Sequence, residues 1–278
     1  MAVVSKAEKA AYNDEIKDIK REVDQIRKSL NEAFSKRKKN PNISGYYSLE
    51  MASREMDAID SFVKMNDLSV EMLKIKNNTF LENARKEFYK VLQHLEEVVG
   101  ADLDRSLREN DEYLTAINNL NPKQVLDFIQ RMHRILNTLK IKFGHDSKWK
   151  WSFVEWQARA AVITKNITSF SEVAKYRDPR VEFFHERREL MQLSKESLTE
   201  AARQFRTKYE MAGKARDDLK KSIDYLAALR KIHVLFGEDT EATKLKNIID
   251  AANMALEADD KAKDKTQKDK NREKEYKK

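Results

Sequence analysis

The scarcity of glycine and proline constrains this chain more than any other feature of its sequence. The 278 residues include 5 Gly and 3 Pro. Sheet-rich folds need turn residues at roughly every 8 to 12 positions, and so few turn formers cannot supply them. Residues 48–99 contain neither residue type, and after Pro179 only Gly213 interrupts residues 179–236. The sequence therefore predicts an all-α protein.

The length of these two stretches predicts an elongated molecule. If they were continuous helices, at about 1.5 Å per residue they would be roughly 78 and 87 Å long. A compact domain of this size is only about 50 Å across. We therefore expect long helices that bend, at residues 66–78 and at Gly213, and that join two arms built as three- and four-helix bundles.

The apolar residues divide between the two predicted arms. The first arm comprises residues 1–77 and 213–257, and the second, a four-helix bundle, comprises residues 78–212. The most regular ladder, with steps of three and four residues, lies in the second arm: Trp149, Phe153, Trp156, Ala160, Ile163, Ile167, Phe170 and Ala174. Such a ladder buries one face of a helix against its neighbours.

Local signals mark several helix ends. In Asn121-Pro122 and in Asp178-Pro179, a capping side chain directly precedes a proline at the first helical position. Gly100 is expected to end a helix. In the last helix we expect one ladder of Leu245, Ile248, Ala252 and Ala255. Residues 258–278 carry no large aliphatic side chain, so we expect a charged tail that is frayed or disordered.

The charge balance limits the possible partners without choosing among them. The net charge is +8, from 55 basic and 47 acidic residues. A basic excess of this size attracts nucleic acid, an acidic protein or an anionic membrane alike. We expect no transmembrane helix, because no run of 18 apolar residues occurs. The first residues lack the apolar stretch that a secretory signal needs. A leader that had been cleaved would leave the same kind of start, so export stays open.

The chain shows no catalytic motif. It contains no Cys, which excludes disulfides and thiolate zinc sites. Glu182-x-x-His185 matches half of a di-iron motif, but the chain has no second copy. We therefore expect no catalytic residue, no metal, no cofactor and no small-molecule substrate.

Aromatic and basic residues near predicted turns are the candidates for protein interaction. The segment 148–156 holds all three Trp residues, and Trp151 lies off the ladder. Exposed Trp and Tyr are favoured at binding hot spots, and Trp151 could form one anchor with Tyr46 and Tyr47. The full set of candidates is Tyr46, Tyr47, Trp151, Lys148, Lys150, Lys36, Arg37, Lys38 and Lys39. Local roles also explain several of them, because basic residues at a helix C-terminus complement its dipole.

The layout from about Tyr12 to Leu256 resembles that of the spirochaete flagellar coiling proteins. The shared features are two long helices with central bends, a Trp-bearing helix, a charged tail and the lack of cysteine. The resemblance implies a non-enzymatic subunit of a periplasmic flagellar sheath, which contacts other sheath and filament proteins and promotes filament curvature and motility. Two alternatives are a basic helical bundle that binds a membrane surface or nucleic acid and, less favoured, an enzyme.

Overall fold

The described residues fold into helices and contain no strand, which confirms the all-α prediction. The computed structural model describes the backbone of residues 5–276 and the side chains of residues 5–259. The α-helices in this part of the chain are α1 (Lys6–Lys39), α2 (Ser44–Leu73), α3 (Asn78–Val99), α4 (Asn110–Leu114), α5 (Pro122–Phe143), α6 (Lys150–Ile167), α7 (Phe170–Lys175), α8 (Phe184–Met211), α9 (Arg216–Leu235) and α10 (Asp239–Tyr276). Two 3-10 helices, Pro41–Ile43 and Thr115–Ile117, link α1 to α2 and follow α4.

The first long stretch is a helical hairpin and not one bent rod. Lys74 ends α2 in the left-handed conformation, with φ +57°, and its N–H bonds back to the carbonyls of Ser69 and Val70. Asn77 then caps α3, and its own N–H donates to Asn66 Oδ1 at 3.0 Å. The chain therefore reverses inside the polar segment where the sequence predicted a bend.

The second long stretch reverses in the same way. Gly213 and Lys214 both have positive φ, +89° and +55°, between α8 and α9. Ser222 Oγ in α9 donates to the carbonyl oxygen of Ala202 in α8 at 2.8 Å, and the rings of Phe205 and Tyr225 stack at 5.8 Å. In both stretches the predicted bend is instead a full reversal of the chain, because a left-handed turn at a lysine leaves no signature in an apolar pattern.

The structure divides the chain into two compact units, Met1–Ser194 and Lys195–Lys278, with the boundary inside α8. This division differs from the predicted arms, which separated residues 1–77 from residues 78–212. Both helices of the α2–α3 hairpin lie in the first unit, although the prediction placed them in different arms. In the second unit, α9 and α10 pack with the end of α8. The predicted tail at 258–278 is helical to Tyr276, and its side chains from residue 260 onward lie outside the described residues.

Most predicted helix ends are confirmed, with one exception. Asn121 forms a capping box with Gln124 at the start of α5, and the N–H of Gly100 bonds to Glu96 at the end of α3. The start predicted at Pro179 is wrong, because α8 begins five residues later, at Phe184. Asp178 accepts hydrogen bonds from the backbone and the guanidinium of Arg180 instead of capping a helix.

Helix α6 lies at the centre of the first unit and is buried on more faces than its ladder predicted. The ladder residues Phe153 to Ile167 are buried, but so is the polar run Thr164, Lys165 and Asn166. The amide of Asn166 donates to the carbonyl of Gly100, and the Nζ of Lys165 donates to that of Arg105 at 3.0 Å. These buried polar groups fix the loop after α3, because unsatisfied carbonyls would be costly there.

Candidate interaction surfaces

Three Lys-apolar-Lys tripeptides meet at one end of the first unit, and we call this surface the lysine end. They occupy residues 74–76, 140–142 and 148–150. The Nζ of Lys76 donates to the carbonyl of Phe143 at 3.3 Å, and the Nζ of Lys142 lies 2.6 Å from Asp67 in α2. These contacts hold the ends of α2 and α5 side by side.

The lysine end surrounds an open recess of about 400 Å³. Its rim carries Lys76, Lys86 and Lys148, which are all exposed. Within the described part of the chain, none of these three makes a salt bridge. Asn78 and Asn83 add amide groups to the lining. Positive charge next to hydrogen-bond donors is the chemistry that binds an anion such as a phosphate.

Trp149 forms one wall of this recess and is held by Glu82. The indole Nε1 donates to Glu82 Oε1 at 2.5 Å, and the guanidinium of Arg85 lies 3.7 Å from the ring centroid. Burial opposes ionisation of Glu82, but hydrogen bonds from Arg85 and Trp149 and the charges of Arg85 and Lys148 outweigh it. The pKa of Glu82 therefore lies below its ordinary value, and the carboxylate is committed to Arg85 and Trp149.

The other candidates at the lysine end are half-buried or stacked. Trp151 is half-buried, and the Nζ of Lys150 lies 4.9 Å from its ring centroid. Lys148 lies over Trp149 at 5.0 Å. The sequence missed Lys76, Lys86, Ile75 and Ile141 as members of this surface. The repeated Lys-apolar-Lys pattern beside three helix ends was the sequence signal that could have identified this surface.

The basic run of residues 36–39 lies at the opposite end of the α2–α3 hairpin and has local partners. It forms the last turn of α1, where positive charge is favourable. The side chain of Asn40 donates to the carbonyl of Lys36 at 2.8 Å, and Arg37 pairs with Glu97 at 2.5 Å. These contacts account for two residues of the run, and an interaction role for the run stays a prediction.

Tyr46 and Tyr47 share that opposite end, so the structure separates them from Trp151. The hydroxyl of Tyr46 accepts from the N–H of Asn119 at 2.8 Å, which joins α2 to the turn before α5. Tyr47 is half-buried. Glu97 marks this end of α3, and Glu82 marks the lysine end, about 22 Å away along the helix. Tyr46 and Tyr47 therefore cannot form one anchor with Trp151.

A groove of about 640 Å³ lies between α4, α7 and the loop before α8. Its polar rim groups bind one another. Ser169 Oγ donates to Asp111 at 2.6 Å, and Arg187 Nε donates to Glu172 at 3.1 Å. Phe183 in the loop has a φ of +59°, an unfavourable conformation for a bulky residue. The groove offers an apolar floor, but several of its polar rim groups already bind one another.

Helices α2 and α3 bury a pair of carboxyl groups in the first unit. Glu55 is 4% exposed, and Lys90 Nζ lies 3.6 Å from its Oε1 and also pairs with Glu87. Burial, reinforced by the hydrogen bond and the charge of Glu87, raises the pKa of Glu55 to about 8. Burial also opposes ionisation of Glu87, but hydrogen bonds from Glu55 and Lys90 outweigh it, so the pKa of Glu87 is lowered. At neutral pH Glu55 therefore holds a proton and Glu87 is ionised.

Helix α10 carries two apolar faces in the second unit. One face is buried, and its Ala252 and Leu256 pack with Leu219 and Ile223 of α9. The second face is exposed and runs along Ile248, Ala251, Ala255 and Ala258. The single ladder predicted for this helix was therefore wrong, because Leu245 and Ala252 point into the unit whereas Ile248 and Ala255 do not.

The exposed face of α10 has the spacing of a helix–helix seam. Its members are three, four and three residues apart, as in a heptad stripe. Ile248 is 47% exposed, and the neighbouring Met254 is 73% exposed. We call this set, with Met254, the α10 stripe. Apolar side chains in such a row lose contact with water when a second helix packs on them.

A family model matches residues 8–260, which is most of the chain and reaches from α1 into α10. The chain belongs to the TP0443 family. This family is a treponemal one, which is consistent with a spirochaete origin. No curated protein matches the chain. The match to the TP0443 family ends close to the point where the sequence becomes a run of charged residues.

Two further observations concern the described residues of this TP0443 family member. No helix among them combines the length and the apolar character needed to cross a bilayer. Within residues 5–259, His, Asp and Glu side chains do not group in threes that could hold a metal ion. His185 of the half motif instead lies against the ring of Phe184, at 5.3 Å.

Proposed function

We propose that this protein is a non-enzymatic structural subunit that assembles with other proteins, and that its assembly is the sheath of a periplasmic flagellar filament. In this role it would promote filament curvature and motility. The treponemal family supports a spirochaete setting. The partners in this proposal are other sheath or filament proteins, and no small-molecule substrate or cofactor takes part.

The α10 stripe is the observation that carries the assembly role. A helix needs one apolar stripe to pack into its own unit, and α10 already has that in the face against α9. The additional stripe, with Ile248 and Met254 about half exposed or more, favours a partner helix from another molecule. Each contact of this size is weak, but repetition along a filament adds many of them by avidity.

A pair of matched methionine variants tests the proposal. Met254 and Met211 are 73% and 65% exposed, but only Met254 belongs to the α10 stripe. We would replace the native protein in a spirochaete with Met254→Gln or Met211→Gln and isolate the flagellar filaments. We expect Met254→Gln, alone or with Ile248→Gln, to reduce recovery with the filaments several-fold, and Met211→Gln to leave it unchanged.

Two results would overturn this proposal. The first is recovery of the native protein with ribosomes or free nucleic acid and not with filaments. The second is equal recovery of the Met254→Gln and Met211→Gln variants with filaments, once circular dichroism has shown that both variants are folded.

A further inference from the structure

The lysine end differs from the charged surface of α8 because its exposed Lys76, Lys86 and Lys148 make no salt bridge with any of the described residues. On α8, by contrast, Arg203 pairs with Glu200 and Arg206 pairs with Glu210, four residues away or fewer. The three tripeptides at the lysine end contribute six lysines and no carboxylate. Since they come from separate segments, only the fold brings this positive charge together.

The lysine end also exposes the two largest aliphatic side chains of its tripeptides. Ile75 is 63% exposed and Ile141 is 69% exposed. Each lies between two lysines in the sequence. An isolated exposed isoleucine is ordinary on a protein surface. Two of them at one end of a helical unit, each flanked by lysines, form a mixed apolar and cationic surface.

We propose that the lysine end binds the surface of an anionic phospholipid bilayer. In this arrangement Ile75 and Ile141 enter the boundary between headgroups and acyl chains, and the lysines beside them contact headgroup phosphates. Lysine suits this role because its aliphatic stem lies along apolar surface while its ammonium stays with the headgroups. Anionic lipid attracts basic segments, and buried apolar area adds to the attachment.

The recess at the lysine end is the place for one headgroup phosphate. Lys76, Lys86 and Lys148 surround it, and their lack of salt bridges in the described part of the chain leaves their ammonium groups available. Trp149 forms the wall, and its half-buried ring suits the interface between headgroups and acyl chains. Because Glu82 is occupied by Trp149 and Arg85, it does not block the phosphate.

The exposed isoleucines favour a bilayer over nucleic acid. A nucleic-acid backbone attracts lysines as strongly as anionic lipid does, and its affinity falls with salt in the same direction. It provides no apolar layer at the depth of its phosphates, however, so Ile75 and Ile141 would stay in water. Loss of binding on removal of the isoleucines therefore distinguishes the two partners.

Two triple variants with equal charge changes test the proposal. Lys76→Gln, Lys86→Gln and Lys148→Gln together remove the three lysine charges from the rim of the recess. Lys36→Gln, Lys38→Gln and Lys39→Gln change the net charge equally at the other end. Binding would be measured by co-sedimentation with phosphatidylglycerol and phosphatidylcholine vesicles. Each lysine near an anionic surface contributes about a fivefold change in affinity, so the recess variant should lose about 100-fold and the control far less.

A serine variant supplies the second arm of the experiment. Ile75→Ser with Ile141→Ser keeps every charge and should weaken binding to the mixed vesicles about tenfold. Pure phosphatidylcholine vesicles should bind none of the proteins measurably. Circular dichroism and thermal melts would establish that each variant is folded.

Three outcomes would overturn the membrane proposal. One is equal loss of binding in the two lysine variants, which would mean that net charge and not the recess matters. Another is unchanged binding of the serine variant. The last is tighter binding of an oligonucleotide than of the vesicles through the same lysines, which would make the lysine end a nucleic-acid surface.

Discussion

The buried carboxyl of Glu55 should make the protein less stable as the pH rises. Its pKa is about 8 in the folded chain, against an ordinary value of 4.5. Between these two pH values the folded state keeps the proton that the unfolded state has lost. The unfolded state therefore binds fewer protons, and the free energy of unfolding falls as the pH increases through this window.

The magnitude follows from the size of the shift. At about 1.36 kcal/mol per pKa unit, a rise from 4.5 to about 8 corresponds to on the order of 5 kcal/mol. This fall in the free energy of unfolding is absent below pH 4.5 and complete above about pH 8. It arises mainly from burial, because Glu55 Oε2 is buried and has no hydrogen-bond partner in the described part of the chain.

The variant Glu55→Gln isolates this effect. The glutamine amide keeps a donor for Glu87 but cannot ionise. Urea unfolding at about pH 5 and about pH 9 would give the free energy of unfolding of both proteins. From about pH 5 to about pH 9, the free energy of unfolding of the variant should rise by several kcal/mol relative to that of the native protein. Titrating groups that do not contact Glu55 are common to both proteins and cancel in the difference, and the amide keeps a hydrogen-bond donor for Glu87.

The control is Glu71→Gln, which removes an exposed carboxyl from the same helix. Its stability should differ from that of the native protein by less than about 0.5 kcal/mol at both pH values. A difference between Glu55→Gln and the native protein that stays constant from about pH 5 to about pH 9 would refute the reasoning. Glu55 would then be ionised in the folded state at neutral pH.

Three further predictions concern the first unit. Gly100→Ala should lower the free energy of unfolding, measured with urea, by about 3 kcal/mol, because φ is +75° and a Cβ would lie 2.0 Å from the Arg105 guanidinium. Gly144→Ala, where φ is +87° and the space is open, should lower it by about 1 kcal/mol. Equal losses in the two variants would contradict the packing argument. Burial lowers the pKa of His133 to about 4, so an NMR titration should show its imidazole neutral down to pH 5, and a midpoint near 6.5 would contradict this. Asn121→Ala should lower the free energy of unfolding by about 1 kcal/mol through loss of the capping box, whereas no change would mean that the cap is not formed.

The helical class and several helix ends were predictable because their causes are local. The Asn121 cap and the glycine stop at Gly100 depend on hydrogen bonds within one turn of the residue. The apolar ladder of α6 likewise predicted which of its residues are buried. It missed Lys165 and Asn166, because their burial depends on a loop that reaches α6 from the end of α3.

The candidate surfaces were less predictable from the sequence. Lys148, Lys150 and Trp151 were recognised as candidates, but Lys76 and Lys86, which share the recess with Lys148, come from segments more than sixty residues away in the sequence. The grouping of Tyr46 with Trp151 failed because they lie at opposite ends of a bundle. The two faces of α10 were merged into one ladder, since periodicity does not say which apolar stripe meets α9.

By itself the sequence determined that this protein is helical, where several helices begin and end, and that its surface carries closely mixed charge. Only the tertiary structure decided that both long stretches are hairpins, that six lysines gather at one end of a unit, and that α10 keeps an exposed apolar row. The physical reason is the range of the interactions. Capping and helical periodicity act within a few residues, whereas the direction of a turn and the partner of an apolar face depend on packing between distant segments.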